Sequence, residues 1–251
     1  MECEVDFNHH LLSASETPPC EGPKLRAFPY AKDEITWIKS IDCYRERDAP
    51  RQAYVFKVKI RSRIYALKVF KFFKSLTYRE TLGPIRGRMV TDEDLSTPHQ
   101  SIQQAQQADK LKSRDIAKCY GFLALRPGGR DEDFLAREGV RLWDIPLDDP
   151  YRRITEGSPI RAIVKDYIED EADFNVANLK RMLRGIKYIN KHGVPNMDIH
   201  SFNYKAGLLI DFGSSWTKPH CIWDIVPADK AKGAEGADLQ NFQLPSFIHQ
   251  S

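Results

Sequence analysis

The chain has 251 residues, and its 41% hydrophobic content is sufficient for one large domain or for two small lobes with buried cores. Its 38 basic and 35 acidic residues leave a net charge of only +3, which argues against direct nucleic-acid binding. Because the five cysteines form no C-x-x-C pair and no uncharged apolar run could cross a bilayer, we expect a cytoplasmic or nuclear protein without a membrane partner.

The first elements are an arm and a strand pair. Prolines and polar residues predict a poorly ordered N-terminal arm over residues 1–33, and Ile35 to Ile38 predict a first strand. From Tyr54 to Ile60 apolar and polar residues alternate, and after a short turn the alternation resumes from Ile64 to Phe70. This period-2 pattern, rich in β-branched and aromatic residues, predicts a hairpin.

Two long, polar segments interrupt the next part of the chain. Both are predicted as long insertions: residues 81–112 contain glycine, proline and a glutamine-rich run (99–107) that indicates either a solvated helix or a loop. Residues 126–159 contain several prolines and acids and are predicted as a loop-like excursion on the surface. Between them, Ile116 to Leu125 predict a strand.

The last third alternates strand and helix signals. Ile160 to Ile168 predict a strand, and an apolar stripe at helical spacing follows from Leu179 to Ile189. Gly193 and Pro195 predict its end. Residues 228–251 read as a polar tail without a helix.

Three polar residues after this helix suggest phosphoryl-transfer chemistry. Asp198 is followed five residues later by Asn203, and the apolar run 208–210 leads into Asp211 and Gly213 of an Asp-Phe-Gly motif. A carboxylate that orients an acceptor hydroxyl, and an amide with a second carboxylate that hold Mg²⁺, occur in this order in kinases. Taken singly, each residue is also an ordinary turn residue.

Lys68 is the fourth candidate. It stands two residues after Ala66 in a predicted strand, so both side chains share one face. The small side chain of Ala66 leaves room for a flat ring, and the lysine supplies a positive charge for phosphate oxygens. The alternative is an exposed strand lysine.

From about Trp37 to His220 the chain resembles the protein-kinase-like superfamily, and more narrowly it is similar to the fungal Fta-two family, named for a subunit of the Sim-four kinetochore complex. The segments that carry the narrower resemblance are Tyr54–Val58, Tyr65–Phe73, Lys118–Phe122, Arg161–Lys165 and Asp211–His220.

The resemblance implies an α+β, two-lobed fold. An antiparallel-sheet N-lobe would cover residues 34–168, and a reduced, mainly helical C-lobe would cover residues 169–227.

The resemblance also implies roles for individual residues. ATP and Mg²⁺ would be the cofactors, with Lys68 on the phosphates and Asp198 as catalytic base. Asn203 and Asp211 would be the metal ligands. The backbone of Asp166, Tyr167 and Ile168 would meet the adenine, and Glu80, with Glu93 as its rival, would pair with Lys68.

Several departures point away from a regulated protein kinase. No glycine lies between Ile35 and Lys68, so the Gly-rich loop is absent as a motif. Asn196-Met197 replaces the usual His-Arg, His200 stands where protein kinases carry lysine, and only 38 residues follow Gly213.

Three functions remain open from the sequence. The first is a kinase-like ATP- and Mg²⁺-binding protein whose phosphotransferase activity the missing parts leave open. The second is a non-catalytic, kinase-derived module in a kinetochore-type nuclear assembly, with a protein complex as its partner. The third, suggested by His200, is a small-molecule kinase of the aminoglycoside or choline type.

Overall fold

The computed structural model describes residues 26–41, 53–72, 114–126, 128–143, 145–169, 175–196, 199–211, 233, 236–240 and 242. The chain divides into two compact units. The first comprises Met1–Lys74 and Tyr120–Tyr167, and the second comprises Ser75–Cys119 and Ile168–Ser251.

A five-stranded sheet forms the centre of the first unit. Its strands lie in the order β1-β2-β3-β5-β4, and the pairs β1–β2, β2–β3 and β3–β5 are antiparallel. The bounds are β1 (Ile35–Ser40), β2 (Ala53–Ile60), β3 (Arg63–Phe70), β4 (Cys119–Leu125) and β5 (Ile160–Asp166). With the helices described below, this sheet confirms the predicted α+β class and the predicted strands.

The β2–β3 hairpin turns on two residues, Arg61 and Ser62. Arg61 adopts a left-handed φ of 55°, as the tight turn between right-twisted strands requires. Its guanidinium pairs with the Asp33 carboxylate, which raises the pKa of Arg61, and lies 3.9 Å from the centre of the Tyr30 ring. The residues just before β1 are thus bound to the hairpin tip.

Alternation along the strands gives the sheet an inner and an outer face. The inner face forms the core, with side chains that are at most 4% exposed: Phe56, Val58, Ile60, Tyr65, Leu67, Val69, Ala162 and Val164. The outer face carries the positions between them, among them Ala66 and Lys68, which are half-buried.

Two helices lie in the segment 126–159, where the sequence analysis expects none: α1 (Arg130–Arg137) and α2 (Pro150–Thr155). The prediction of a wholly irregular insertion is therefore wrong. Three acids in the first turn of α1 interact favourably with the positive N-terminal end of the helix dipole. Pro150 fits the first position of α2, where no backbone N–H is needed. Leu135 of α1 is fully buried in the core of the first unit.

An aromatic contact joins α1 to the edge strand β1. The rings of Trp37 and Phe134 stack at 4.8 Å, and the Trp37 indole N–H donates to the Asp131 carboxylate at 2.8 Å. Trp37 also meets Phe56 edge-on at 5.2 Å. These contacts explain why a short helix in a glycine- and proline-rich segment is retained.

Residues 26–33 of the predicted N-terminal arm are packed on the sheet. Phe28 N–H donates to the Phe122 carbonyl at 2.7 Å, Phe122 N–H donates to the Arg26 carbonyl at 3.0 Å, and Phe28 is only 2% exposed. Residues 26 and 28 pair with a strand almost a hundred residues later in the chain, so no local sequence pattern could predict this contact. Residues 1–25 of the predicted arm lie outside the described residues.

The second unit is organised around α3 (Val176–Lys191), which confirms the helix predicted from the apolar stripe. The Asn175 side chain caps it by accepting from the Asn178 N–H at 2.8 Å. Met182, Ile186 and Ile189 are at most 1% exposed and form the core of this unit.

A small hairpin packs with α3. Its strands are β6 (Tyr204–Lys205) and β7 (Leu208–Leu209), preceded by a 3₁₀ helix (Ser201–Asn203). Ala206 and Gly207 join the strands with φ values of 48° and 73°, which is the conformation of a type I′ turn. Ile116 bridges to Leu209 in parallel, so residues 115–117 flank the hairpin.

Asp115 ties this flanking segment to α3. Its carboxylate accepts from Arg184 Nη2 at 3.1 Å and from Arg184 Nε at 3.3 Å, and the Arg181 guanidinium lies 3.4 Å away. Asp115 is 7% exposed, so the two cations offset the cost of removing its charge from water.

The C-terminal residues 228–251 were predicted to contain no helix, yet residues 236–240 are helical. Leu239 and Phe242 pack on the core of the second unit, and Asp238 is fully buried. The prediction is wrong here because the apolar core contacts of the described residues in this segment come from Leu239 and Phe242, which are too few to give a periodic signal.

Candidate functional site

Lys68 and Ala66 lie on the outer face of β3, the central strand of the sheet. Both side chains are half-buried, and the Lys68 ammonium lies 5.8 Å from the centre of the Phe70 ring. The shared face predicted from their spacing is therefore present.

Cross-strand register surrounds Ala66 with further lysines. Ala66 pairs with Lys57 of β2 on one side and with Lys165 of β5 on the other, and Lys57 in turn pairs with Lys39 of β1. Directly paired residues point to the same face of an antiparallel sheet, with strands about 4.8 Å apart. Ala66 thus lies in a row in which three of four strands present a lysine.

The residues predicted to meet an adenine follow directly at the end of β5. The Asp166 carboxylate accepts from the Tyr120 hydroxyl at 2.7 Å and from Arg63 Nη2 at 3.0 Å. Burial, then the bond to Asp166, raises the pKa of Tyr120 to about 12. The Tyr167 ring lies 4.2 Å from the Lys57 ammonium, and Ile168 follows as the first residue of the second unit.

The β6–β7 hairpin has Asn203 just before its first strand and Asp211 two residues after its second, in the second unit. Tyr204 pairs with Leu209, and the Ile210 N–H donates to the Asn203 carbonyl at 2.8 Å, which extends the pairing past the strand ends. Asn203 consequently lies opposite Ile210, and Asp211 is the next residue along the chain. Both side chains are half-buried.

An amide oxygen and a carboxylate at one hairpin end suit a hard cation such as Mg²⁺, which prefers oxygen ligands and keeps several waters. Within the described ranges, no group of three or more His, Cys, Asp or Glu side chains is placed to hold a metal. The two residues could therefore supply two ligands and leave the remaining positions to phosphate and water.

Three of the predicted site residues, Asp198, Glu80 and its rival Glu93, lie outside the described residues. The approach to Asp198 is nevertheless described. The backbone N–H of Asn196 donates to the Asp238 carboxylate at 2.6 Å, and both residues are fully buried. A residue of the C-terminal segment thus fixes the loop that leads into the Asp198 motif.

The structure also shows two residues that the sequence analysis missed, Lys57 and Lys165. Their strands are identifiable from alternation, but their convergence on Ala66 depends on register, which is set by long-range pairing. A signal was present in the alternation itself, since lysines occupy the polar positions of both strands.

A family model described as kinetochore Sim4 complex subunit FTA2 matches residues 13–216, which is about four fifths of the chain. No curated protein matches. Among the helices that the structure describes, none combines the length and apolarity needed to span a bilayer.

Proposed function

The chain belongs to the family of the kinetochore Sim4 complex subunit FTA2, and from this we propose that it is a subunit of a kinetochore protein complex in the nucleus. The observation that carries the proposal is the match over residues 13–216, which spans residues of both compact units. In this proposal the protein acts by binding other proteins.

Two features support a binding role over catalysis. The stretch between Ile35 and Lys68 has no glycine to let the backbone cover phosphates. Moreover, Lys57 and Lys165 flank Ala66 on the sheet, so a base stacked there would lie between two ammonium groups. Sites for flat ring ligands are usually lined by apolar side chains, which this row of lysines does not supply.

We expect a fluorescently tagged copy, expressed from its own locus, to form foci that coincide with a centromere marker. The tagged chain should also copurify with other Sim4-complex subunits, because subunits of one complex share stable interfaces. A diffuse signal together with no copurifying subunit would contradict the proposal. An unrelated nuclear protein with the same tag is the control.

A second candidate is a Mg²⁺–nucleotide site, favoured by the placement of Asn203 and Asp211 on either side of one hairpin end. Contact of Lys68 with phosphate oxygens, as made by the third-strand lysine of protein kinases, stays a prediction. Bound Mg²⁺ would neutralise phosphate charge. Asp198 as a catalytic base, Glu80 as the partner of Lys68, and a small-molecule acceptor suggested by His200 remain predictions.

Thermal unfolding with and without Mg-ATP tests this second candidate. A ligand at a hundredfold excess over its dissociation constant adds about 2.7 kcal/mol, or roughly 5–10 °C for a chain of this size. If the candidate is right, Asp211→Ala should abolish the shift because it removes the only charged ligand of the proposed pair. The control is Lys187→Ala, which should leave the shift unchanged because Lys187 is exposed on α3. Asp238→Asn would not serve, because the Asp238 side chain is buried. Absence of a shift in the unmodified chain at millimolar Mg-ATP would rule the candidate out.

A further inference from the structure

A long, open groove runs beside α1 in the first unit, and we call it the α1 groove. It is lined by residues 31–37, by α1, by residues 124–126 and by Pro159. The groove has a volume of about 1390 Å³. Every residue of its lining belongs to the first unit and to the part of the chain that the structure describes.

We propose that the α1 groove binds an extended segment of a partner protein in which an apolar residue lies between two acids, each two residues away. The inference rests on the proposed function, since a complex subunit needs surfaces for its neighbours. It adds the chemistry of the partner and the place where that partner binds.

The apolar part of the lining centres on two aromatic rings. Trp37 and Phe134 are half-buried and stack at 4.8 Å, and Ile35 and Leu125 add aliphatic surface. The Trp37 N–H already donates to the Asp131 carboxylate, so the indole offers a ligand apolar carbon and no unpaired donor. An apolar side chain that covers these rings would remove more of their surface from water, which is favourable.

The charged part of the lining has an excess of unpaired cations. It comprises four acids and four cations, and three of the acids already have partners within the first unit, which leaves Asp133 as the unpaired acid of the lining. Of the cations, only Arg130 is in an ion pair. The side chains of Lys32, Arg126 and Arg137 are exposed and, throughout the described part of the chain, have no hydrogen-bond or ion-pair partner. Three free cations against one free acid favour an acidic ligand.

Two of these cations lie at opposite ends of α1. Arg126 is next to Gly129, the N-cap of the helix, since a Cβ on Gly129 would lie 3.8 Å from the Arg126 Cβ, and Arg137 is in the last turn. The helix between them is about 12 Å long at 1.5 Å per residue, and Phe134 lies within it. Alternate residues of an extended chain share a face, and four steps of about 3.3 Å span about 13 Å. The order cation, ring, cation therefore matches the order acid, apolar residue, acid at every second position.

The strand beside the groove favours an extended ligand. β1 is an edge strand, and none of the strands that the structure describes pairs with its outer side. Such an edge presents backbone N–H and C=O groups, which extended peptides use to add a strand to a sheet. The β-bulge between Trp37 and Lys39 ends the regular edge, so pairing is confined to residues 35–37, and these residues line the groove.

The mixed lining also distinguishes a peptide from other anions. Its four acids would repel the closely spaced phosphates of a nucleic acid, whereas a peptide places single carboxylates only where cations lie. The balanced net charge of +3 also falls short of a nucleic-acid-binding domain. The volume of the groove exceeds the roughly 300–1,000 Å³ of ordinary small-molecule pockets, which fits a segment of chain.

Fluorescence anisotropy with the labelled peptide Gly-Ser-Glu-Ser-Leu-Ser-Glu-Ser-Gly tests the proposal on the full chain. We expect binding that weakens as salt rises, because exposed charge interactions are screened. A peptide with glutamine in place of both glutamates should bind about tenfold more weakly or not at all. The isomer Gly-Ser-Glu-Leu-Ser-Ser-Glu-Ser-Gly should also bind about tenfold more weakly, because its leucine faces away from the acids in an extended chain. No binding of the first peptide at millimolar chain, or equal binding of all three, would overturn the proposal.

A double variant of the chain tests the place of binding. Arg126→Glu with Arg137→Glu should weaken binding of the first peptide by about tenfold or more, since close charge pairs contribute about that much. The matched control is Lys59→Glu with Arg153→Glu, which makes the same change of charge at two exposed residues of the first unit outside the groove. It should leave binding within about twofold. All four side chains are exposed, so both variants should unfold close to the temperature of the unmodified chain. Equal loss of binding in the two variants would overturn the proposal.

Other occupants give distinct results. Residues 1–23 contain five acids and no lysine or arginine, so they are a competing acidic segment within the chain. Peptide binding that appears only after their deletion would assign the groove to the chain's own N-terminus and overturn the partner. Binding of duplex DNA in place of the peptide, lost in the Arg126→Glu, Arg137→Glu variant, would also overturn it.

Failure of this inference and of the proposed function can be told apart. A chain that forms centromere foci but does not bind the peptide refutes only the acidic partner. Conversely, peptide binding that depends on Arg126 and Arg137, in a chain absent from kinetochores, refutes only the kinetochore role. Leaving Lys68, Asn203 and Asp211 unchanged in the variants keeps the result independent of nucleotide binding.

Discussion

Gly121→Ala should destabilise the first unit by about 3 kcal/mol or more. Gly121 has a φ of +130°, which side-chain-bearing residues rarely adopt, and a Cβ there would lie 2.4 Å from the Arg26 carbonyl oxygen and 3.0 Å from the Phe28 nitrogen. Since these atoms belong to backbone that is hydrogen-bonded to Phe122, the clash cannot be relieved by a rotamer change. Relief would require residues 26–28 to move off β4, which exposes Phe28.

Urea unfolding followed by tryptophan fluorescence measures the loss, and limited proteolysis reports cleavage near residues 26–28. Gly139→Ala is the control, because Gly139 has a φ of +74° but no atom within 4 Å of the added Cβ. The Gly139→Ala variant should lose only about 1 kcal/mol of unfolding free energy, because its sole cost is the unfavourable backbone conformation. Equal losses in the two variants would show that the contact of residues 26–28 with β4 contributes nothing.

The elements with a strong local period were predictable from sequence. The β2–β3 hairpin follows from strict alternation, and α3 follows from an apolar stripe that ends before Gly193. In both cases one face of a single element is buried, so the alternation or stripe of apolar residues is visible within ten or twenty consecutive residues.

Hydrophobic periodicity could not predict the short helices α1 and α2. α1 has only one fully buried residue, Leu135, and owes its place to Phe134 stacking on Trp37, which is almost a hundred residues earlier. α2 has six residues, too few for a stripe. End signals such as Pro150 at the first helical position were present and would have located both helices better than hydrophobic periodicity.

The residues of the candidate site also differ in whether local or long-range pairing places them. The pairing that places Asn203 opposite Ile210, the residue before Asp211, crosses only a two-residue turn and is therefore local in sequence, whereas the role of the two residues as metal ligands stays a prediction. The row Lys39–Lys57–Ala66–Lys165 depends on three separate strand pairings, the last across almost a hundred residues. A shift of one residue in any pairing would turn those lysines to the other face, so the sequence alone could not predict the row.

Gly207→Ala should destabilise the second unit by about 3 kcal/mol and loosen the hairpin that carries Asn203 and Asp211. Gly207 has a φ of +73°, and a Cβ there would lie 2.7 Å from the Asn178 carbonyl oxygen and 2.9 Å from the Asn178 Cα. Both atoms belong to the first turn of α3, whose position the Asn175 cap fixes, so the hairpin must yield. Hydrogen exchange of the Ile210 amide, which donates to Asn203, measures the loosening.

The neighbouring residue supplies a control of opposite sign. Ala206 occupies the other turn position with a φ of 48°, where alanine is disfavoured, so Ala206→Asn should stabilise the hairpin by about 0.5–1 kcal/mol. The Arg181 bond to the Ala206 carbonyl uses only backbone on the turn side and is retained. Slower exchange at Ile210 in Ala206→Asn and faster exchange in Gly207→Ala would show that the conformation and packing of this turn hold Ile210, the residue before Asp211, on Asn203. The same direction of change in both variants would contradict that account, because the two substitutions alter backbone strain in opposite senses at adjacent residues.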